Sequence, residues 1–260
     1  MTVVSALLDA LTQGQVEVVD LTAPLTSTTP VLQLPSPFAN TIPISLERVS
    51  AFDEDGPAWR WNNIHTGEHT GTHLDAPAHW ISARDGATVD QIPPQRLIGP
   101  AVVIDVRDQV AEDPDFLLRS EHIVEWEAAY GRLPANGWLI LRTGWSSRGD
   151  DAVAFLNADE DGPHTPGPSE QVVRWLVAER SLSGFAVETV GIDAGSAGGF
   201  ETPFPAHHVL LEANIYGLTQ LRNLDRLPAV GAVLVVSPLP IVGGTGSPAR
   251  VFALIDRTAP

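Results

Sequence analysis

Half of the chain's eight histidines fall between residues 65 and 79, in the run His65-Thr-Gly-Glu-His69-Thr-Gly-Thr-His73-Leu-Asp75-Ala-Pro-Ala-His79-Trp80. Imidazole and carboxylate are the side chains that hold a divalent metal where thiolate is absent, and the chain has no cysteine. The spacing discriminates between backbones. On a helix, His69 and His73 meet at i, i+4, but Asp75 lies about 200° round from His73. On a strand all three side chains share one face. A straight strand, however, separates the Cα atoms of His69 and His73 by about 13 Å, at roughly 3.3 Å per residue. Gly71, midway between them, permits a kink or bulge that shortens this span. The expectation is therefore a bent strand or strand-to-loop segment that converges His69, His73 and Asp75 on one ion. Pro77 then turns the chain and brings His79 alongside. His65 precedes the kink and is expected behind the ligands or at the surface.

One divalent ion, Mn2+ or Zn2+, held by three protein ligands keeps positions open for water and a substrate carbonyl. Such an ion brings the pKa of bound water toward about 7 and polarises the carbonyl. His79 suits the accompanying proton transfer, because an ordinary imidazole titrates near pH ~6.5. Trp59, Trp61 and Trp80 bracket the cluster; Trp61 and Trp80 are the better candidates for aromatic walls against a flat substrate. Two other features carry less. The glycines at 243, 244 and 246 lack the Lys-Ser/Thr ending of a phosphate loop, and Ser196 lacks a G-x-S-x-G context.

The elements that must position these residues are short. Runs rich in valine and isoleucine at Val16–Leu21, Ala101–Val106, Trp138–Leu141, Phe185–Ile192, Ala232–Val236 and Val251–Ile255 predict buried strands. Ser120 is placed to cap a helix through Ala129, with Gly131 as its stop, and Ser169 to cap Glu170–Glu179. Shorter helices are expected over Ser5–Leu11 and Ala206–Ala213. No linker or repeat divides the 260 residues, so the expectation is one α/β domain, 1–260, built on a mixed sheet. Hydrophobic residues at 43% suffice for a full core. Fifteen basic against 32 acidic residues give a formal charge of −17, which repels nucleic-acid phosphates and anionic membrane surfaces. Residues 1–15 hold no Lys or Arg, unlike a secretory signal, and no apolar run approaches the roughly 20 residues of a span. A cytoplasmic protein without nucleic-acid or membrane partners is expected.

His69-Thr-Gly-Thr-His73-Leu-Asp75-Ala-Pro-Ala-His79 resembles the signature of the metal-dependent cyclase family, which includes bacterial kynurenine formamidases and isatin hydrolases. Gly191-Ile-Asp-Ala-Gly-Ser196, Phe204-Pro-Ala-His-His-Val-Leu-Leu211, Asn223-Leu-Asp-Arg-Leu-Pro228 and Gly243–Ala253 are similar to its later segments. The resemblance covers roughly residues 60 to 256. It implies a swivelling β/β/α-type fold and a homo-oligomeric hydrolase, dimer or tetramer, that opens small amides, often aromatic or cyclic. It further implies His69, His73 and Asp75 as metal ligands and His79 as general acid/base. His207 matches the downstream histidine, with a role in orienting water or stabilising an oxyanion. In two-metal members a glutamate stands twelve residues beyond that histidine. Here Thr219 occupies the position, so one ion is expected. A lactone hydrolase of the same family, or a metal-stabilised binding protein without turnover, are the alternatives; the presence of His79 argues against the second.

Overall fold

A computed structural model describes residues 2–257. Its centre is a mixed eight-stranded sheet in the order Val16–Asp20, Gly246–Asp256, Ala232–Pro238, Ile98–Asp105, Gly137–Arg142, Leu182–Val187, Tyr216–Thr219 and His73–Asp75. The four strands from Ile98–Asp105 to Tyr216–Thr219 run parallel. The flanking pairs are antiparallel. His73–Asp75 pairs with both Tyr216–Thr219 and Gly246–Asp256, so three residues close the sheet on itself.

The period-two alternation of buried strands divides the core into two parts. Val103, Trp138, Ile140, Ala186, Leu218, Leu234, Val251 and Leu74 fill the inside of the closed sheet. Val102, Ile104, Leu139, Leu141 and Phe185 point outward and meet Ile123 and Trp126 of helix Ser120–Tyr130 and Val172, Val173 and Leu176 of helix Glu170–Glu179. Strands covered on both faces read as near-continuous apolar runs. The helix stripe at 172, 173 and 176 is the apolar face that such a helix turns to the sheet.

Most expected elements are present, with informative differences at their ends. Ser169 does cap its helix, accepting the Val172 N–H at 3.2 Å. Ser120 is instead the first helical residue, and His122 Nδ1 accepts the Arg119 N–H at 3.0 Å. The first helix is Val3–Thr12, capped by Thr2. The expected strand Phe185–Ile192 ends at Val187, because the buried Glu188 turns away to accept N–H groups of Thr143 and Gly144, each at 2.6 Å, and the Ser146 hydroxyl at 2.6 Å. The Ala206–Leu210 segment is a wide π-type turn. No apolar run announces the antiparallel ribbon Ser45–Ala51 with Arg60–His65. No helix of the described residues is long and apolar enough to cross a membrane.

A small hairpin pairing Ala158–Asp159 with Gly162–Pro163 ends on His164, which bridges Asp115 at 2.7 Å and Asp159 at 3.1 Å. The hydrogen bond to Asp115, then that to Asp159, raise the His164 pKa above its usual 6.5. Stability from a raised folded-state pKa is fully present below the unfolded value and is lost as pH rises through the folded one. The melting temperature of wild type should therefore exceed that of His164→Gln at about pH 5.5 and converge on it at alkaline pH. A gap that widens with pH would contradict this assignment.

Candidate active site

The bend expected at Gly71 is real: its φ is +62°, and a Cβ there would lie 2.4 Å from a Leu25 methyl. The left-handed conformation and the close approach both call for glycine. The bend lets His69 lie outside the strand while His73 and Asp75 sit within it. Asp75 stands in register with Gly217 on one side and Gly246 on the other. A Cβ on Gly217 would fall 2.6 Å from Asp75 Oδ2, and one on Gly246 would fall 2.4 Å from the His69 ring. Two glycines therefore hollow out the space around the cluster. Pro77–His79 forms a single helical turn opened by proline, whose fixed φ suits that position, and the turn sets His79 over His69.

The five polar side chains singled out in the sequence converge. His69 Nδ1 lies 2.8 Å from Asp75 Oδ1, His73 Nε2 lies 3.3 Å from the same oxygen, and His207 Nε2 lies 4.0 Å from Oδ2. The His79 ring stacks on His69 at 3.8 Å between centroids and lies 5.6 Å from His207. One ligand atom each from His69, Asp75 and His79 lie within 4.8 Å of one another, so His79 is also within reach of the same point.

Each ring is oriented from behind. His73 Nδ1 donates to the Gly71 carbonyl at 2.7 Å, with the Thr219 hydroxyl 3.0 Å away. His69 Nε2 meets the Thr245 hydroxyl at 3.0 Å, and that hydroxyl donates to Glu68 at 2.7 Å. His207 Nδ1 donates to Asp193 at 2.6 Å. Such outer hydrogen bonds set tautomer and ring direction at metal sites. Glu68 and Asp193 were visible in the sequence, one beside His69 and one in the Gly-Ile-Asp turn. Their partners lie far along the chain, and spacing does not reveal them. His65 bonds Glu47 at 2.9 Å on the exposed ribbon, away from the cluster.

Burial opposes ionisation of Asp75, but the charge of His73 and hydrogen bonds from His69 and His73 outweigh it and hold the carboxyl well below its usual range. Burial pushes His79 down to about 3; Asp75 works against this, and the neighbouring imidazoles reinforce it. His207 moves the other way. Burial opposes its charge, yet the hydrogen bond and charge of Asp193, with Asp75, raise its pKa. The cluster thus offers a neutral imidazole, a second one whose protonated form is favoured, and a fixed carboxylate.

The donor set fits a cation. Asp75 is 1% exposed, and its Oδ2 has no hydrogen-bond partner among the described residues. A buried carboxylate oxygen without a partner is costly unless a charge meets it, and three imidazoles beside it are ligands for a divalent ion.

A cavity of about 250 Å³ opens over His69, His73, Asp75, His79 and His207. Val31, Leu32, Leu34 and Ala39 line it with apolar surface, as do Val190 and Gly191. Asn40 clips the 34–40 loop shut, accepting the Leu34 N–H at 2.6 Å and donating to the Leu34 carbonyl at 3.0 Å. Trp80 lies against His207 with centroids 4.7 Å apart and edges onto Phe204 at 5.8 Å. Trp61 is 58% exposed on the ribbon and is not brought to this cavity within its own chain; Trp59 is exposed nearby.

A closed mixed sheet carrying a buried His-Asp cluster beneath an apolar cavity defines an α/β protein with a site suited to a metal ion. The family model Cyclase, described as "Putative cyclase", matches residues 19–194, and the chain belongs to this family. It is 48% identical over 250 residues to an isatin hydrolase of Roseibium aggregatum, covering 95% of each chain. It is 31% identical over 209 residues to a kynurenine formamidase of Salinibacter ruber, covering 80% of this chain and 84% of that one. The crystal structure of an isatin hydrolase bound to the product analogue thioisatinate superposes with a TM-score of 0.95 at 47% identity, covering 99% of this chain and 100% of that one.

Proposed function

We propose that the protein is a metal-dependent hydrolase that opens the C–N bond of a small cyclic or aryl-linked amide, with isatin-like lactams as the leading substrates. The observation that carries this reading is the buried, half-unpartnered Asp75 among imidazoles at the base of an apolar cavity. Kinship with isatin hydrolase points the same way. His69, His73 and Asp75 would hold one divalent ion, Mn2+ or Zn2+, which supplies Lewis acidity and a nucleophilic water near neutral pH.

The chain's own residues do the rest. The apolar walls seat a flat ring and exclude water, and Trp80 backs His207. His79, neutral because it is buried, accepts the proton of the attacking water and delivers it to the departing nitrogen. Water adds to the carbonyl carbon, the C–N bond breaks, and an amine and a carboxylate result. His207, whose pKa Asp193 raises and whose Nδ1 proton it holds, turns Nε2 toward the negative charge that develops on the carbonyl oxygen.

Thr219 supports the single-ion reading, since its hydroxyl is engaged with His73 where two-metal members place a glutamate. We further assign residues 1–260 to one cytoplasmic hydrolase domain that works as a homo-oligomer, dimer or tetramer. Exposed Val3, Val4 and Leu8 on the first helix, with Leu46, Trp61 and Ile64 on the ribbon, are apolar surface for a second copy to cover. Any contact of Trp61 with substrate would be made across such an interface.

The test is turnover by the metal-free protein, titrated with zinc or manganese, against isatin, formyl-anilines, cyclic imides and lactones. Amide opening should return near one equivalent of ion per chain. A requirement for two equivalents would overturn the single site. Turnover of lactones alone would reassign the leaving atom, and turnover of nothing would favour a binding protein.

A further inference from the structure

We propose that Asp193 is a positioning residue that fixes the His207 imidazole with its Nδ1 proton turned away from the cavity and Nε2 turned into it. The proposal rests on the hydrolase reading only for the role of His207; the geometry stands by itself. The Asp193 side chain is 5% exposed and receives three hydrogen bonds. Oδ1 accepts the Ala206 N–H at 2.7 Å; Oδ2 accepts the His207 N–H at 3.1 Å and His207 Nδ1 at 2.6 Å. One carboxylate therefore grips both the main chain and the ring of the same residue. Rotating the ring would break the shortest of these bonds at a buried carboxylate, which is unfavourable. Trp80 against the ring closes off the remaining freedom. With Nδ1 taken, the nitrogen that faces Asp75 is Nε2.

The carboxylate is itself anchored. The Gly195 N–H donates to the Thr165 carbonyl at 2.9 Å. Gly167 lies so close that a Cβ there would stand 2.3 Å from the Ala194 nitrogen, and one on Gly195 would stand 2.1 Å from the Pro163 carbonyl oxygen. The 163–167 segment thus buttresses the turn that aims Asp193, and Asp193 aims His207. A buried carboxylate on the far nitrogen of a working histidine is how one imidazole tautomer is selected over the other.

Asp193→Asn separates aim from fold. The neutral amide has one acceptor oxygen for three donors on two sites, so it cannot satisfy the Ala206 N–H and both His207 donors together, and the ring loses its charged acceptor. In zinc-loaded protein, nitrogen NMR of the His207 ring should show the proton fixed on Nδ1 in wild type and shared between Nδ1 and Nε2 in the variant. On the best amide found, kcat should fall on the order of 10²-fold or more, with KM changed by a few-fold and bound metal unchanged. Asp193→Glu, which keeps the charge, should recover part of the loss. In a His207→Ala background the Asp193→Asn change should cost nothing further, because its effect passes through the missing ring. An unchanged ring protonation pattern, or losses that multiply in the double variant, would overturn the proposal even if hydrolysis stands. A wild type that turns over no amide would instead sink the hydrolase reading, while the ring signal still decides what Asp193 does.

Discussion

His73→Ala is expected to lose its divalent ion and with it all measurable turnover. His73 is 5% exposed and both of its ring nitrogens are engaged. Nε2 stands 3.3 Å from Asp75 Oδ1, while Nδ1 is fixed by the Gly71 carbonyl. The charge of this ring is the largest influence that holds Asp75 ionised against its burial. Removing it leaves a buried carboxylate short of a partner and an ion short of a ligand, and each effect weakens the other. The Thr219 hydroxyl loses its contact as well, a secondary cost of about 1–3 kcal/mol for a buried polar group left unsatisfied. Metal analysis of purified wild type and variant, with circular dichroism as a control for folding, gives the answer. A folded variant that keeps a full equivalent of ion would remove His73 from the ligand set.

His79→Ala is expected to do something different: keep the ion and lose the reaction. The three assigned ligands are untouched, and the backbone turn is held by the His79 N–H to the Ala76 carbonyl, which alanine retains. Turnover should fall by on the order of 10²–10⁴, the usual contribution of a placed general acid/base. Affinity for product should change far less, since the apolar walls remain. Two other outcomes are informative. Loss of the ion would make His79 a ligand, which its reach to the same point as His69 and Asp75 permits. Unchanged turnover per folded molecule, with a lowered melting temperature, would make it a packing residue.

The His-Asp cluster was legible because it is local. Its spacing, the absence of cysteine and the glycine at position 71 fix a bend and a donor set without reference to the rest of the chain. Six strands of the central sheet were legible for a related reason, since burial on both faces leaves continuous Val/Ile runs; their ends were misread where Glu188 turns inward, and Tyr216–Thr219 and the exposed ribbon carry no such run. Long-range partners left no such trace. Thr245 behind His69 and the in-register glycines 217 and 246 are ordinary loop and strand residues until the sheet closes around them. Trp61 shows how sequence neighbours can part in space. Closeness in sequence to the histidines suggested closeness in space, but the ribbon carries it to the surface of its own chain.

The strand His73–Asp75 takes its two neighbours from residues 216–219 and 246–248, far later in the chain. Synthesis runs from the N-terminus at about 5–20 residues per second. For many seconds, therefore, a growing chain displays its histidines with neither bordering strand yet made. The histidine pocket is completed only in the last stretch of translation, and chains halted before residue 246 should emerge without it.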